Sequence, residues 1–291
     1  MDGFGLASAL LPEDLRAAAE GLSTAEKRSC EEFRLRRSVP AAALIGGREK
    51  PLSSAVVTEE QLRGVLETAT RSSLHASEDA LRRGYISAAG GVRVGVCGVG
   101  VMGPEGVSGL RSFSSLAIRV PRQVPGCADG IWEELTTGGF RSLLVVSPPG
   151  AGKTTLLREI IRRLSYAGDR ICVADERGEL AGFGAGGGFD VGPHTDVMTG
   201  IPKAEAAEML LRSMGPQTLA MDEIADEAEG AALLRAVNCG VTLLASVHGR
   251  DRTDAGRRPA CRALLRAGAF ERCVTVSCRD GVRRYFVEKL P

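Results

Sequence analysis

The 291-residue chain predicts an α/β protein in two parts, a doubly wound, mainly parallel sheet preceded by a smaller α+β domain. Three observations carry this. In the later part, apolar β-rich runs at 142–146, 171–174, 218–221 and 241–247 alternate with helix-periodic stretches at 154–164, 203–212, 226–237 and 254–267. Strands separated by helices pair in parallel. In the earlier part, the run from Gly91 to Val101 alternates small and β-branched residues as a strand does, and short helices are predicted over 60–70 and 77–83. Between the parts, the stretch from Pro121 to Gly130 holds two prolines and two glycines, the composition of a linker. The boundary therefore falls between about Arg122 and Gly139, giving domains 1–130 and 131–291. The chain closes on two β-rich runs around Asp280-Gly281, a hairpin turn signal.

Composition narrows the function classes. Charged residues make up 25% and hydrophobic ones 44%, which excludes a disordered or collagenous chain. The net charge of +1 hides a division: residues 1–140 carry 16 basic and 17 acidic groups, residues 141–248 carry 10 and 14, and residues 249–291 carry 11 and 5. Aromatics are 4% with one tryptophan, Trp132, which leaves few platforms for stacking single-stranded bases. The eight cysteines form no CxxC pair and have no neighbouring histidines, so they read as small buried residues in a reducing compartment rather than zinc ligands or a disulfide framework. No run approaches the roughly 18 to 20 apolar residues of a membrane span. A cytoplasmic protein is expected, with peripheral docking on a membrane complex left open.

The strongest chemical signal is Ser147-Pro148-Pro149-Gly150-Ala151-Gly152-Lys153-Thr154, followed by Thr155, between an apolar strand and a helix. In that context a glycine-rich loop lets backbone N–H groups approach phosphates, and the helix N-terminus favours negative charge. Lys153 then reaches the β- and γ-phosphates, and Thr154 ligates magnesium. Ser147 stands where the first glycine of G-x-x-x-x-G-K-[ST] is expected. A second strand, 218–221, ends in Asp222-Glu223. A parallel sheet delivers both carboxylates to the edge beside the loop, with Asp222 placed for magnesium and Glu223 for the attacking water. One further strand, 171–174, separates the motifs in sequence. That is the arrangement of a RecA-like P-loop ATPase domain, with ATP and Mg2+ as its cofactors.

Two weaker features point to the same edge. Asp175-Glu176-Arg177 leaves the intervening strand, and Ser246-Val-His248-Gly leaves the strand after Asp222-Glu223. His248 reads as a γ-phosphate sensor by its position, or as a hydrogen-bonded core histidine. Glu176 either supplements Glu223 or pairs with Arg177. The glycine tract from Gly182 to Gly192 lacks dinucleotide-binding spacing and reads as a mobile loop.

With these residues in hand, the chain resembles the stage III sporulation protein AA family, ATPases related to those of type II and type IV secretion systems and pilus motors. The motifs that carry the resemblance run over about residues 10–290. They include Glu32-Phe-Arg-Leu-Arg36, Ser114-Ser-Leu-Ala-Ile-Arg119, the loop from Ser147 to Thr155, Pro202-Lys-Ala-Glu205, Asp222-Glu-Ile224 and Ser246-Val-His-Gly249. The serine-led loop is similar to the family's own pattern. The resemblance implies a homohexameric ATP-driven motor on the mother-cell side of a channel to the forespore, docked on membrane proteins of that apparatus. It also implies that an arginine completes the ATP site, with Arg93, Arg111, Arg119, Arg177 and Arg212 the candidates and Arg119 and Arg177 the leading two. The rival expectations are an ATPase stimulated by nucleic acid, prompted by the basic segment 249–291, and a nucleotide-gated scaffold with little turnover.

Overall fold

Two sheets organise the chain in the computed structural model, which describes residues 3–70, 84–104, 106–182, 188–279 and 282–291. By its internal contacts the chain divides between Arg122 and Gln123, with Gly182 and residues 188–189 grouped with the N-terminal unit.

In the N-terminal unit the strands are β1 (Cys30–Arg36), β2 (Pro40–Ile45), β3 (Arg48–Val56), β4 (Tyr85–Ser87), β5 (Arg93–Gly103) and β6 (Gly106–Arg119), joined antiparallel in the order β3-β2-β1-β6-β5-β4. Helices α1 (Gly3–Ser8), α2 (Glu13–Glu20), α3 (Thr24–Ser29) and α4 (Glu59–Ala69) accompany them. Both α3 and α4 open with a capping box, Ser23 with Glu26 and Thr58 with Gln61, which satisfies N–H groups that a helix start otherwise leaves unpaired. Leu62, Val65 and Leu66 of α4 share a core with Phe33 and Leu35 of β1, where the Phe4 and Phe33 rings meet edge to face at 5.4 Å. The helix predicted over 60–70 is α4. The strand predicted from Gly91 is β5, starting two residues later because Ala89–Gly91 forms a 3₁₀ turn. The helix predicted over 77–83 lies outside the described residues.

In the C-terminal unit the strands are β7 (Leu143–Ser147), β8 (Ile171–Asp175), β9 (Thr195–Thr199), β10 (Thr218–Met221), β11 (Thr242–His248), β12 (Arg272–Arg279) and β13 (Val282–Lys289). Their order is β13-β12-β7-β11-β10-β8-β9, and every neighbouring pair is parallel except β12 with β13. The helices are α5 (Asp129–Thr136), α6 (Lys153–Tyr166), α7 (Lys203–Ser213), α8 (Glu227–Asn238), α9 (Arg252–Ala255) and α10 (Pro259–Arg266). Period-2 alternation divides each strand between two cores. Leu143 and Val145 pack with α5 and α6, whereas Leu144 and Val146 share the opposite core with α7, α8 and α10. This is the doubly wound RecA-like architecture expected from the sequence.

Three details differ from expectation. A second strand, β9, also lies between the two motifs in sequence; TDVMT is half exposed at the sheet edge and lacks the apolar run that marks the inner strands. The single helix predicted over 254–267 is two, because Pro259 cannot continue a helix and holds Arg258 extended at ψ 132. The proline- and glycine-bearing stretch before Arg141 leads into α5, whose Ile131 and Leu135 are core residues. The turn at 280–281 lies outside the described residues.

Candidate functional site

Parallel pairing sets one edge of the sheet. Because β7, β8, β10 and β11 all run the same way, their carboxyl ends deliver Ser147, Asp175, Asp222-Glu223 and His248 to that edge, with His248 opposite Ser147 in register.

Ser147 is fully buried, and its hydroxyl donates to the Pro148 carbonyl at 3.0 Å, so the first position of the loop accommodates a side chain. Pro149 and Gly150 face solvent while Ala151 is buried. Gly150 (φ +73) and Gly152 (φ +104) are left-handed, and Gly152 forms the N-cap of α6. A Cβ on Gly152 would lie 2.7 Å from Nε of Arg283 on β13, which itself donates to the Ala151 carbonyl at 3.1 Å. Thr155 is half-buried in the first turn of α6.

The next residues meet across the edge. The Thr154 hydroxyl donates to Asp222 Oδ2 at 2.7 Å. Lys153, buried, places Nζ 3.9 Å from Asp222 Oδ1 and 3.6 Å from Glu223 Oε2. Ser246 of β11 donates its hydroxyl to Asp222 Oδ1 and accepts the Glu223 N–H at 2.9 Å, while its carbonyl accepts the Ile224 N–H at 2.8 Å. Glu223 is held at φ +55, a left-handed value that is uncommon for a residue with a side chain. His248 Nε2 lies 3.3 Å from Glu223 Oε1, and its buried Nδ1 has no hydrogen-bond partner among the described residues.

Behind β8, the buried Asp175 carboxylate accepts the N–H groups of Leu180 (3.1 Å) and Ala181 (2.9 Å). Burial pushes its pKa above the ordinary carboxylate value, with the backbone N–H bonds opposing that rise and the nearby Asp222 adding to it. Arg158 of α6 donates to the carbonyls of Leu180 (2.6 Å) and Glu179 (2.5 Å), and burial brings it down to about 10. The turn that carries Glu176 and Arg177 is thus tied to the helix that follows the glycine loop. Both residues line a cavity of about 60 Å3 with Glu179, Lys203, Asp222 and Glu223.

The structure therefore brings Lys153, Thr154, Asp222, Glu223 and His248 together, with Glu176 and Arg177 at the adjoining cavity. Arg119 belongs to the other unit, on β6, opposite Glu32 in register and exposed. Arg212 pairs on the surface with Glu208 at 3.0 Å. Of the glycine tract, 183–187 lie outside the described residues. Sequence reasoning assigned no role to Ser246, Lys203, Arg158 or Arg283. A serine two residues before His248 was the nearest signal for the first and the Pro202-Lys-Ala-Glu205 motif for Lys203, and nothing marked Arg158 or Arg283.

As for a metal, no group of three or more His, Cys, Asp or Glu among the described residues is placed to hold one. A phosphate-bound magnesium makes a different demand, for one hydroxyl and one carboxylate of hard-oxygen character beside a helix N-terminus. Thr154 and Asp222, 2.7 Å apart, fit it.

The family model described as sporulation stage III, protein AA matches residues 9–284. The stage III sporulation protein AA of Bacillus subtilis (strain 168) is 34% identical over 279 residues, covering 94% of this chain and 90% of that protein. The SEEDLING PLASTID DEVELOPMENT 1 protein of Arabidopsis thaliana is 32% identical over 163 residues, 52% of this chain and 22% of its own. Among solved structures, the pilus retraction motor PilT with bound ADP superposes with a TM-score of 0.63 at 17% identity, covering 95% of this chain and 83% of that one. The ATPase DotB of Legionella pneumophila gives 0.59 at 16%, covering 90% and 77%. At those identities the likeness is one of fold.

Proposed function

The chain belongs to the sporulation stage III protein AA family, and from that premise we propose that its C-terminal unit hydrolyses ATP as the motor of a homo-oligomeric ring serving a sporulation channel or secretion complex. The observation that carries the chemistry is the hydroxyl of Thr154 on the carboxylate of Asp222, with Glu223 and His248 beside them. The fold shared with an ADP-bound pilus motor supports an adenine nucleotide at this edge.

In this reading the backbone of 148–152 and the amino end of α6 bind the phosphates, and Lys153 leaves its two carboxylates to contact the β- and γ-oxygens. Thr154 and Asp222 would hold magnesium, which supplies charge neutralisation at those oxygens. Glu223 orients the attacking water and accepts its proton at the carboxylate, with His248 Nε2 fixing the carboxylate's direction. Ser147, Pro148, Pro149, Gly150, Ala151, Gly152 and Thr155 shape the phosphate cradle. Glu176 and Arg177 act at the cavity, and Arg119 is the N-terminal unit's candidate for the transition-state charge.

Among the described residues no helix is long and apolar enough to cross a membrane; in this reading the ring works docked on membrane proteins of the complex. The test pairs two variants. Lys153→Ala should lose nucleotide binding, whereas Glu223→Gln should bind ATP and retain it. Turnover by Glu223→Gln at the wild-type rate would remove Glu223 from the mechanism. Native mass and ATPase rate across protein concentration test the ring: a monomer with a concentration-independent rate contradicts it.

A further inference from the structure

The turn after β10 carries Asp222 and Glu223, and its backbone is held from two sides. Ser246 holds one side. On the other, Lys203, the first residue of α7, extends Nζ to the carbonyl oxygens of Asp222 (3.1 Å) and Glu223 (2.5 Å) and to Glu229 Oε1 (2.9 Å) on α8. The second carboxylate oxygen of Glu229 accepts the Ala225 N–H at 2.7 Å. The pair is nearly dry: the Lys203 side chain is 14% exposed and that of Glu229 8%.

A buried ammonium needs an anion and polar acceptors to be stable, and here all three of its N–H donors are occupied. What they occupy is specific. At φ +55 the Glu223 backbone is in a region that a side-chain-bearing residue holds only where its surroundings impose it. Lys203 holds the carbonyl and Ser246 the N–H of both peptides that flank Glu223, Asp222–Glu223 and Glu223–Ile224, which leaves each one orientation. The direction of the Glu223 carboxylate, 3.3 Å from His248 and 3.6 Å from Lys153, follows from the backbone beneath it.

We propose that Lys203, clamped by Glu229, is a positioning residue for Glu223: with its donors taken by two carbonyls and a carboxylate, it holds the left-handed turn that aims the Glu223 carboxylate at the attacking water. The catalytic part of this inference rests on the ATPase reading above; the structural part does not.

The experiment uses the full chain with Lys203→Met, Lys203→Arg, Glu229→Gln and the double variant Lys203→Met/Glu229→Gln. Misplacement of a catalytic group by an ångström costs about 100-fold, so Lys203→Met should lose about that factor in kcat with KM for ATP unchanged. Lys203→Arg, which keeps the cation, should recover part of the loss. The double variant should be no worse than Lys203→Met, because the two residues act as one unit. Wild-type kcat in Lys203→Met, or a rise in KM alone, overturns the proposal while leaving the ATPase reading intact. Amide hydrogen exchange at 223–225 reads the clamp without turnover: faster exchange in Lys203→Met supports it, and unchanged exchange overturns it. Should the wild type hydrolyse no ATP, the ATPase reading fails and exchange alone decides the clamp. Should Lys203→Met not fold, the same exchange and kcat measurements on Glu229→Gln decide, with wild-type behaviour in both refuting the clamp.

Discussion

Ser246→Ala removes one oxygen from a fully buried position on β11. That oxygen accepts the Glu223 N–H at 2.9 Å and donates to the Asp222 carboxylate. A neutral hydrogen bond contributes about 1 kcal/mol, and one to a charged group about 1.5–3 kcal/mol. The Glu223 N–H loses its acceptor, and the buried Asp222 carboxylate keeps the Thr154 hydroxyl and Lys153 but loses a donor, so the variant should lose about 3 kcal/mol. For a unit of this size, each kcal/mol lowers Tm by about 2–4 °C, which gives a fall of about 6–12 °C. Thermal and urea unfolding measure it, with an unchanged urea slope showing that the native state alone was perturbed. The same substitution releases the N–H side of the left-handed Glu223 peptide, so turnover should fall with it. A Tm within about 2 °C of wild type, together with wild-type turnover, would refute the reasoning, since it would mean that neither hydrogen bond exists in solution.

Two further predictions follow from the same edge. Gly152→Ala places a Cβ at φ +104 and 2.7 Å from Arg283 Nε, so it should cost about 1–3 kcal/mol in unfolding free energy and abolish nucleotide binding; ATP binding at wild-type affinity would show that the loop does not need this conformation. Asp175, whose pKa burial raises above 3.8, binds its proton in the folded chain before the unfolded chain does. Its contribution to stability is complete below 3.8 and is lost as pH rises through the raised value. The unfolding free energy of wild type minus that of Asp175→Asn should therefore increase as pH falls towards 3.8, and a difference that stays flat or shrinks would contradict the burial.

How much of this was legible in the sequence depended on whether a residue's partners were local. The strands β7, β8, β10 and β11 are fully or almost fully buried, so they read as continuous apolar runs, and the loop, Asp222-Glu223 and His248 follow from where such strands end. Strand β9 was missed because its TDVMT run is half exposed, and β1 because its glutamates and arginines break up the apolar pattern around Phe33 and Leu35. The break at Pro259 was visible in principle, since proline at a helix start reads as N1 rather than as an interior residue. The contacts of Lys203, Ser246 and Arg283 were not visible, because their partners lie about 20 to 130 residues away in the chain and only the sheet brings them together. A lysine at the start of an alanine- and glutamate-rich helix carries no mark of whether its ammonium meets water or two carbonyls and a glutamate.

Lys153 shows why the loop lysine cannot be treated as a binding residue alone. Its ammonium is buried, 3.9 Å from Asp222 and 3.6 Å from Glu223, so without nucleotide it is the counter-charge of both carboxylates. Under the ATPase reading the same ammonium must move to the phosphates. The site then exchanges one anionic partner for another, and the cost of separating Lys153 from the carboxylates is set against the gain at the nucleotide. Lys153→Met keeps the stem of the side chain and removes the charge, leaving Asp222 and Glu223 adjacent; Lys203 behind them faces their backbone carbonyls and Glu229, and Arg158, which also acts on Asp222, is held on the Leu180 and Glu179 carbonyls. The variant should thus lose about 1–3 kcal/mol of stability with no nucleotide present, the scale for a buried polar group deprived of its partner. Thermal unfolding of the nucleotide-free protein measures this directly. A melting temperature equal to that of wild type would mean that the carboxylates are screened by water rather than by Lys153, and that the lysine acts on the nucleotide only.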